Sequence, residues 1–325
     1  MAMRHGQSGK RYMQVLGRRQ KGQGQIGRLI GMVLLGGGCL IIPSLGLVVP
    51  AKSIQVAQAS QSAEAAINQG LQYIQQGRLD QAIAAFQQAT QLNPRLAAAH
   101  YNLGLALRQK GQLQASANSF YKATQADPKF ALAYANLGAA LLEGNNLKQA
   151  QDYLQRAIEL DPNMGLAHYN LGLVYESQKA YDQAISAYRK AMQLTPNAPE
   201  PAYHTGLVYV QQNKLKEARA AFEQALKIAP NYSETNYKSH YNIGSILFRQ
   251  GDLDGALNAF RRSAEANSNY PNAYYAAGMV FLRQNKFNDA EKVLTFARDL
   301  FSKQGDTRWA QKSEEQLQKA KAGQR

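Results

Sequence analysis

The sequence predicts an all-α fold of paired short helices, and three observations predict it. Small and apolar residues recur at i, i+3, i+4 and i+7 spacing, as in Leu103, Gly104 and Leu107 and then Leu113, Ala117, Phe120 and Ala123. That spacing places them on one face of a helix. The pattern also returns at a fixed period: Gly70, Gly104, Gly138, Gly172 and Gly206 each lie 34 residues apart. Finally, Pro94, Pro128, Pro162, Pro196 and Pro230 close these blocks, because proline lacks the amide donor that a helix interior needs.

Each block has the same internal order. Twelve residues after the glycines stand Ala82, Ser116, Ala150, Ala184 and Ala218, and sixteen after stand Phe86, Phe120, Leu154, Tyr188 and Phe222. A small residue in each helix lets the two approach closely, and Gly111 and Gly251 mark the turns between them. Four extra residues, Ser233 to Asn236, shift the frame, which resumes with Gly244, Ala256 and Phe260 and again with Gly278, Ala290 and Leu294. The insertion reads as a longer loop, with one added helical turn as the alternative. Seven repeats result, at 63–96, 97–130, 131–164, 165–198, 199–232, 237–270 and 271–302. No repeat buries its faces alone, so neighbours stack into a solenoid. Thr307 to Ala320 reads as a closing helix, with Trp309, Ser313, Leu317 and Ala320 on one side, since solenoid ends need a cap with a polar outer face.

The net charge of +15 over 325 residues first suggests nucleic acid or an anionic membrane. Its distribution says otherwise. Up to Gln58 there are eight cations and no acid, so the leader holds 8 of the 15 charges. Ser60 to Ser302 carries +4 over seven repeats, and Lys303 to the end carries +3. No basic stripe results, which removes nucleic acid as a partner. The basic start followed by the apolar run Leu29 to Val49 has the layout of an export signal or a signal anchor. Ala57-Gln58-Ala59 before Ser60 marks a cleavage site, and Gly36, Gly37, Gly38, Pro43 and Gly46 weaken a lone spanning helix. Either form puts residues 60–325 outside the cytoplasm, periplasmic or secreted if cleaved near Ala59–Ser60, membrane-held by 29–49 if not. Arg18-Arg19 lacks the apolar residues of a twin-arginine signal, and Cys39, with Gly36 before it, lacks a lipobox leucine. A single Cys excludes a disulfide framework and multi-cysteine metal sites.

Runs such as His100-Tyr-Asn-Leu-Gly and His168-Tyr-Asn-Leu-Gly, at fixed distance from proline, resemble the tetratricopeptide repeat family from Ala63 to about Ser302. The chain departs from it in Ser268 and Ser302, where proline is usual, and in the His or Ala residues at the tryptophan position. The resemblance implies a right-handed superhelical solenoid that binds a peptide or partner protein in a concave groove lined by the first helix of each repeat. It implies that the sixth place of each repeat faces this groove, here Asn68, Asn102, Asn136, Asn170, His204, Asn242 and Ala276. The row is similar to the asparagine ladder of O-linked N-acetylglucosamine transferases. A carboxamide offers donor and acceptor to any peptide backbone. Helices about 10 Å apart would meet roughly every third residue of a chain rising about 3.3 Å per residue. The alternative is that these asparagines tie the scaffold together.

Beside the rungs, at the fifth place, stand Tyr101, Tyr169, Tyr203, Tyr241 and Tyr275, rigid amphipathic surface for recognition or stacking between repeats. The chaperone-tail clamp of some tetratricopeptide proteins needs lysine at that place, and no repeat has one; Lys238 stands isolated. His100, His168 and His240 occupy the fourth place, where the family packs an aromatic. Two repeats, about 20 Å, separate the first two, far beyond a shared metal with bonds near 2 Å. No catalytic, cofactor-binding or metal-binding set emerges. The expected function is a non-catalytic, exported binding or assembly scaffold for a protein or peptide, with the membrane met only through the N-terminal segment. The alternative is an envelope protein that guides polysaccharide, its tyrosines stacking on sugars.

Overall fold

A computed structural model describes residues 51–230 and 234–324. Residues 1–50, with the apolar run and Cys39, lie outside them. Every element among the described residues is an α-helix, and the helices fall into two compact units, one up to Pro162 and one from Asn163.

The first unit holds three helix pairs: α1 (Ala51–Gln75) with α2 (Leu79–Leu92), α3 (Ala97–Gln109) with α4 (Leu113–Ala126), and α5 (Ala131–Glu143) with α6 (Leu147–Leu160). Its core runs through Ile67, Phe86, Tyr101, Leu107, Phe120 and Leu137. The second unit holds α7 (Gly165–Ser177), α8 (Tyr181–Leu194), α9 (Glu200–Gln211), α10 (Leu215–Ile228), α11 (Glu234–Gln250), α12 (Leu253–Ala266), α13 (Pro271–Arg283), α14 (Phe287–Lys303) and the closing α15 (Thr307–Gly323). Here Tyr188 with Val208, then Phe222, Ile246, Phe260 and Val280, then Leu294 with Leu317, form successive apolar layers. The closing helix buries Ala310, Ser313, Leu317 and Ala320, the side expected of a cap, with Trp309 half-buried.

Close approach within each pair depends on glycine. A Cβ built on Gly104 would sit 2.7 Å from two ring carbons of Phe120, and one on Gly172 2.4 Å from the Tyr188 ring. In the α3–α4 pair, the Ser116 hydroxyl donates to the Gly104 carbonyl at 2.8 Å, a bond the bare backbone makes reachable. Each pair turns on one residue in the left-handed region, with φ of +75° at Gly77, +81° at Gly111 and +86° at Gly251. Asn145, Lys179, Asn213 and Asn285 hold the same place with φ of 55–60°.

Helix ends explain the missing prolines. Asn93 and Asp127 accept the N–H two residues on, from Arg95 at 3.1 Å and Lys129 at 2.9 Å, which turns the chain out of the helix. Asn267 does the same with Asn269 at 3.0 Å, so α12 stops although Ser268 replaces proline. Near Ser302 no such stop exists, and α14 runs on to Lys303 until Gly305 adopts φ +77°.

Two boundaries differ from the sequence expectation. The first helix starts at Ala51 rather than Ala63, through residues that contain neither glycine nor proline, and so crosses the Ala59–Ser60 bond. The insertion is not a loop: from Glu234 it is the first turn of α11, which has 17 residues against 13 in α3, α5 and α7. The buried Asn236 donates to the carbonyls of Ala229 and Pro230 at 3.2 and 3.1 Å, tying that turn to the end of α10.

The fourth-place histidines pack inside the scaffold. His100 is 7% exposed and donates from Nε2 to the Pro94 carbonyl at 2.8 Å, since a carbonyl only accepts. Burial pulls the His240 imidazole below its usual 6.5, with Arg262 adding to the effect and Glu265 opposing it.

Replacing Gly104 by Ala is expected to destabilise the chain by about 1–3 kcal/mol through overpacking against Phe120, more than the gain of under about 1 kcal/mol in helix propensity. Thermal denaturation followed by circular dichroism checks this. For His240, the unfolded chain takes up a proton that the folded chain refuses, so stability is lost as the pH falls below about 6.5. A His240→Phe variant is expected to lose less melting temperature than the parent between about pH 7.5 and 5.5.

Candidate functional site

The sixth-place residues sit on the first helices of their repeats, with graded burial. Asn68 on α1 is exposed, Asn102 and Asn136 are each 6% exposed, Asn170 is 7% exposed, and Asn242 is half-buried. The amide nitrogens of Asn102, Asn136 and Asn242 are committed to the scaffold. Asn102 Nδ2 donates to the Ala98 carbonyl at 2.8 Å, Asn136 to Leu132 at 2.9 Å and Asn242 to Lys238 at 2.9 Å, each one turn back in its own helix. Because the partner is a carbonyl, the NH2 end must face it, which fixes the carboxamide orientation by chemistry. Asn136 spends its second hydrogen on the Tyr101 hydroxyl at 3.2 Å, and Asn242 reaches the Tyr203 hydroxyl at 3.5 Å. Asn136 and Asn242 thus tie to the tyrosine of the preceding repeat. Among the described residues Asn136 Oδ1 has no partner, so what the rung still offers is an acceptor.

The fifth-place tyrosines lean on the large residue of their own repeat's second helix. Tyr101 meets Phe120 at 5.7 Å, Tyr169 meets Tyr188 at 6.0 Å, Tyr203 meets Phe222 at 5.6 Å and Tyr241 meets Phe260 at 5.8 Å, all tilted. Tyr101 is 1% exposed, and Phe130 covers it further at 4.9 Å. Burial raises the pKa of Tyr169, Tyr241 and Tyr275, and pushes Tyr203 up to about 12 against the opposing hydrogen bond from Asn242. The phenols of Tyr169, Tyr203, Tyr241 and Tyr275 are therefore neutral near neutral pH and able to donate or accept a hydrogen bond.

The structure joins some of these residues and separates others. Asn136 joins Tyr101 in the first unit and Asn242 joins Tyr203 in the second. Tyr241 and Tyr275 line one cavity of about 230 Å³ with Phe248, Arg249 and Trp309, residues that repeat periodicity alone does not single out. At the fifth rung His204 replaces asparagine. Its Nδ1 lies 3.0 Å from Glu176 Oε2, which also accepts from the Tyr188 hydroxyl at 2.5 Å, while the Tyr169 and Tyr203 rings stand 5.8 and 5.5 Å from the imidazole. Among the described residues no group of three or more His, Cys, Asp or Glu side chains is placed to hold a metal, and no helix is long and apolar enough to cross a membrane.

Comparison with known proteins agrees with this geometry. Models described as tetratricopeptide repeat, or TPR repeat, match residues 70–107, 97–130, 135–199, 203–273 and 247–311, together well over half the chain. A tetratricopeptide repeat protein from Parabacteroides merdae is 18% identical, with 80% of this chain and 99% of that one covered at a TM-score of 0.58. PilF of Pseudomonas aeruginosa is 22% identical over 65% of this chain and 94% of its own, at 0.56. PilW, a type IV pilus biogenesis factor, is 17% identical over 65% and 95%, at 0.58. At such identities the likeness speaks for the fold. No curated protein sequence matches the chain. The helix pairs, the glycine at every close approach and the matched models together place this chain in the tetratricopeptide repeat family.

Proposed function

We propose that the chain is a non-catalytic binding scaffold that holds an extended segment of a partner protein along the first helices of its repeats. Arrays of this family generally bind proteins or peptides, and one observation carries the reading to particular residues. Asn136 is 6% exposed, its nitrogen is locked between Leu132 and Tyr101, and its oxygen is left without a partner. That oxygen is free to accept, and the backbone N–H of an extended peptide is a donor any sequence provides. Asn102 has the same burial and the same bond one turn back. A sugar-stacking role for the tyrosine row finds less support, because the ring of Tyr101 is 1% exposed and the others rest on their own second helices.

Export is part of the proposal. Its support is the concentration of 8 of the 15 net charges ahead of and around the apolar run. The repeats would then act outside the cytoplasm, released by cleavage near Ala59–Ser60 or held by residues 29–49.

Affinity capture from the native envelope tests the scaffold. Replacing Asn102, Asn136 and Asn170 together by Ala is expected to leave a folded protein whose captured partner is lost or bound at least tenfold more weakly. Replacing Tyr101 by Phe, which removes the hydroxyl that Asn136 reaches, is expected to weaken capture less than the triple variant does. A folded triple variant that retains its partner in full refutes the ladder.

A further inference from the structure

We propose that the cavity between α11, α13 and α15 is a pocket for a single apolar side chain of a peptide whose neighbouring residues are acidic. This deepens the scaffold reading and rests on it. The ladder ends where the pocket begins, since the last rung is Ala276, and the missing carboxamide leaves open space beside Tyr275 and Met279. Phe260 and Phe301 form buried parts of the lining.

Size and wall chemistry define the occupant. About 230 Å³ falls below the roughly 300–1,000 Å³ of pockets that enclose a whole small ligand. The walls are chiefly aromatic and held in place. Trp309 meets Tyr275 edge-on at 5.3 Å and Phe301 at 5.9 Å, and Lys312 Nζ stands 4.2 Å from the indole centre. Tyr241 is braced by Phe260 at 5.8 Å and Tyr270 at 5.5 Å. The indole is thus a fixed wall for an inserted side chain rather than an open plate for a sugar ring.

Charge defines what flanks that side chain. Arg249 lines the cavity, and its Nη2 donates to Asn213 Oδ1 at 3.0 Å, a neutral partner that aims the guanidinium without cancelling its charge. Arg283 stands 5.3 Å over the Phe248 ring and donates to the Phe248 carbonyl. Among the described residues Arg249, Arg283 and Lys312 have no ion pair, whereas Arg298 on the neighbouring α14 is bound by both Glu314 and Asp299 at 2.8 Å. Glu315 is the acid whose field reaches a wall residue, Tyr275. Three cations without an ion pair, against Glu315 and the Asp306 carboxylate that holds the Trp309 amide at 3.1 Å, favour carboxylates beside the inserted residue.

The chain carries one tryptophan, Trp309, so its emission reports on this cavity alone. The test titrates the full-length chain with blocked seven-residue peptides centred on Glu-Asp-Phe-Asp-Glu, on the same core with Lys for every acid, and on the acidic core with Ala for Phe. Only the first is expected to shift Trp309 emission saturably, with at least tenfold weaker binding for the other two and further weakening as salt is raised. Arg249→Gln, at an exposed position, is expected to weaken the first peptide about tenfold, and Ala276→Phe, which fills the cavity, to abolish the shift while circular dichroism stays unchanged. Absence of any shift, equal binding of the Lys peptide, or titrations unaltered in both variants overturns the pocket. Envelope capture separates the two readings. A partner retained by Ala276→Phe but lost by the asparagine triple variant leaves the ladder standing without the pocket, and the reverse leaves the pocket without the ladder.

Discussion

Within every repeat, the first helix carries no side chain at the point where the second helix sets down its largest one. From Gly70 with Phe86 to Gly278 with Leu294, an added Cβ would lie 2.4–2.7 Å from the opposing side chain. Much else follows from that contact. A ring lying on bare backbone brings the helices near enough for Ser116 to reach the Gly104 carbonyl. It also stands one turn from the fifth-place residue, because positions three apart share a helix face. Tyr101 therefore finds Phe120, and Tyr203 finds Phe222, without any further design. The tyrosine so fixed presents its hydroxyl to the next repeat, where Asn136 or Asn242 donates to it. Close packing inside one pair is in this way converted into a polar tie between pairs.

The asparagine row thereby serves two ends of one functional group. Scaffold and binding are usually posed as rivals for such residues, yet a carboxamide has a donating and an accepting side, and the bonds one turn back consume only the donating side. In the proposed function rigidity and recognition would then be coupled, because the bonds that hold the nitrogen fix where the oxygen sits and would lower the entropy lost when a partner docks.

Most of the fold was legible because its signals are local and periodic. The spacing of Gly104, Ser116, Phe120 and Pro128 specifies two helices and a stop wherever it recurs. Legibility failed where long-range bonds decide. Ser233 to Asn236 contains no helix breaker, so a loop and an extra turn look alike in sequence, and the choice is made by Asn236 reaching back to Ala229 and Pro230. The tyrosine row was half legible. Tyr101 and Phe120 are 19 residues apart, as are Tyr169 and Tyr188, and this constant spacing already signals rings that stack within each repeat. The aromatic cavity was not legible, because it needs α11, α13 and the closing helix at once, and periodicity assigns Trp309 only a capping role.

The stop after each second helix has a bearing on chemical ageing. Asn93, Asp127 and Asn267 end their helices through the same side-chain oxygen, with Asp at one place and Asn at the others. Deamidation of Asn267 would keep the oxygen that accepts from Asn269 but lose the nitrogen that bonds the Tyr237 hydroxyl. At Asn93 the usual route is closed, because Pro94 has no backbone N–H to attack the side chain and form the cyclic imide. At Asn136 the same reaction would place a carboxylate against the Leu132 carbonyl and remove the donor to Tyr101. Pro94 thus does more than close its repeat, since it also shields the asparagine that stops α2.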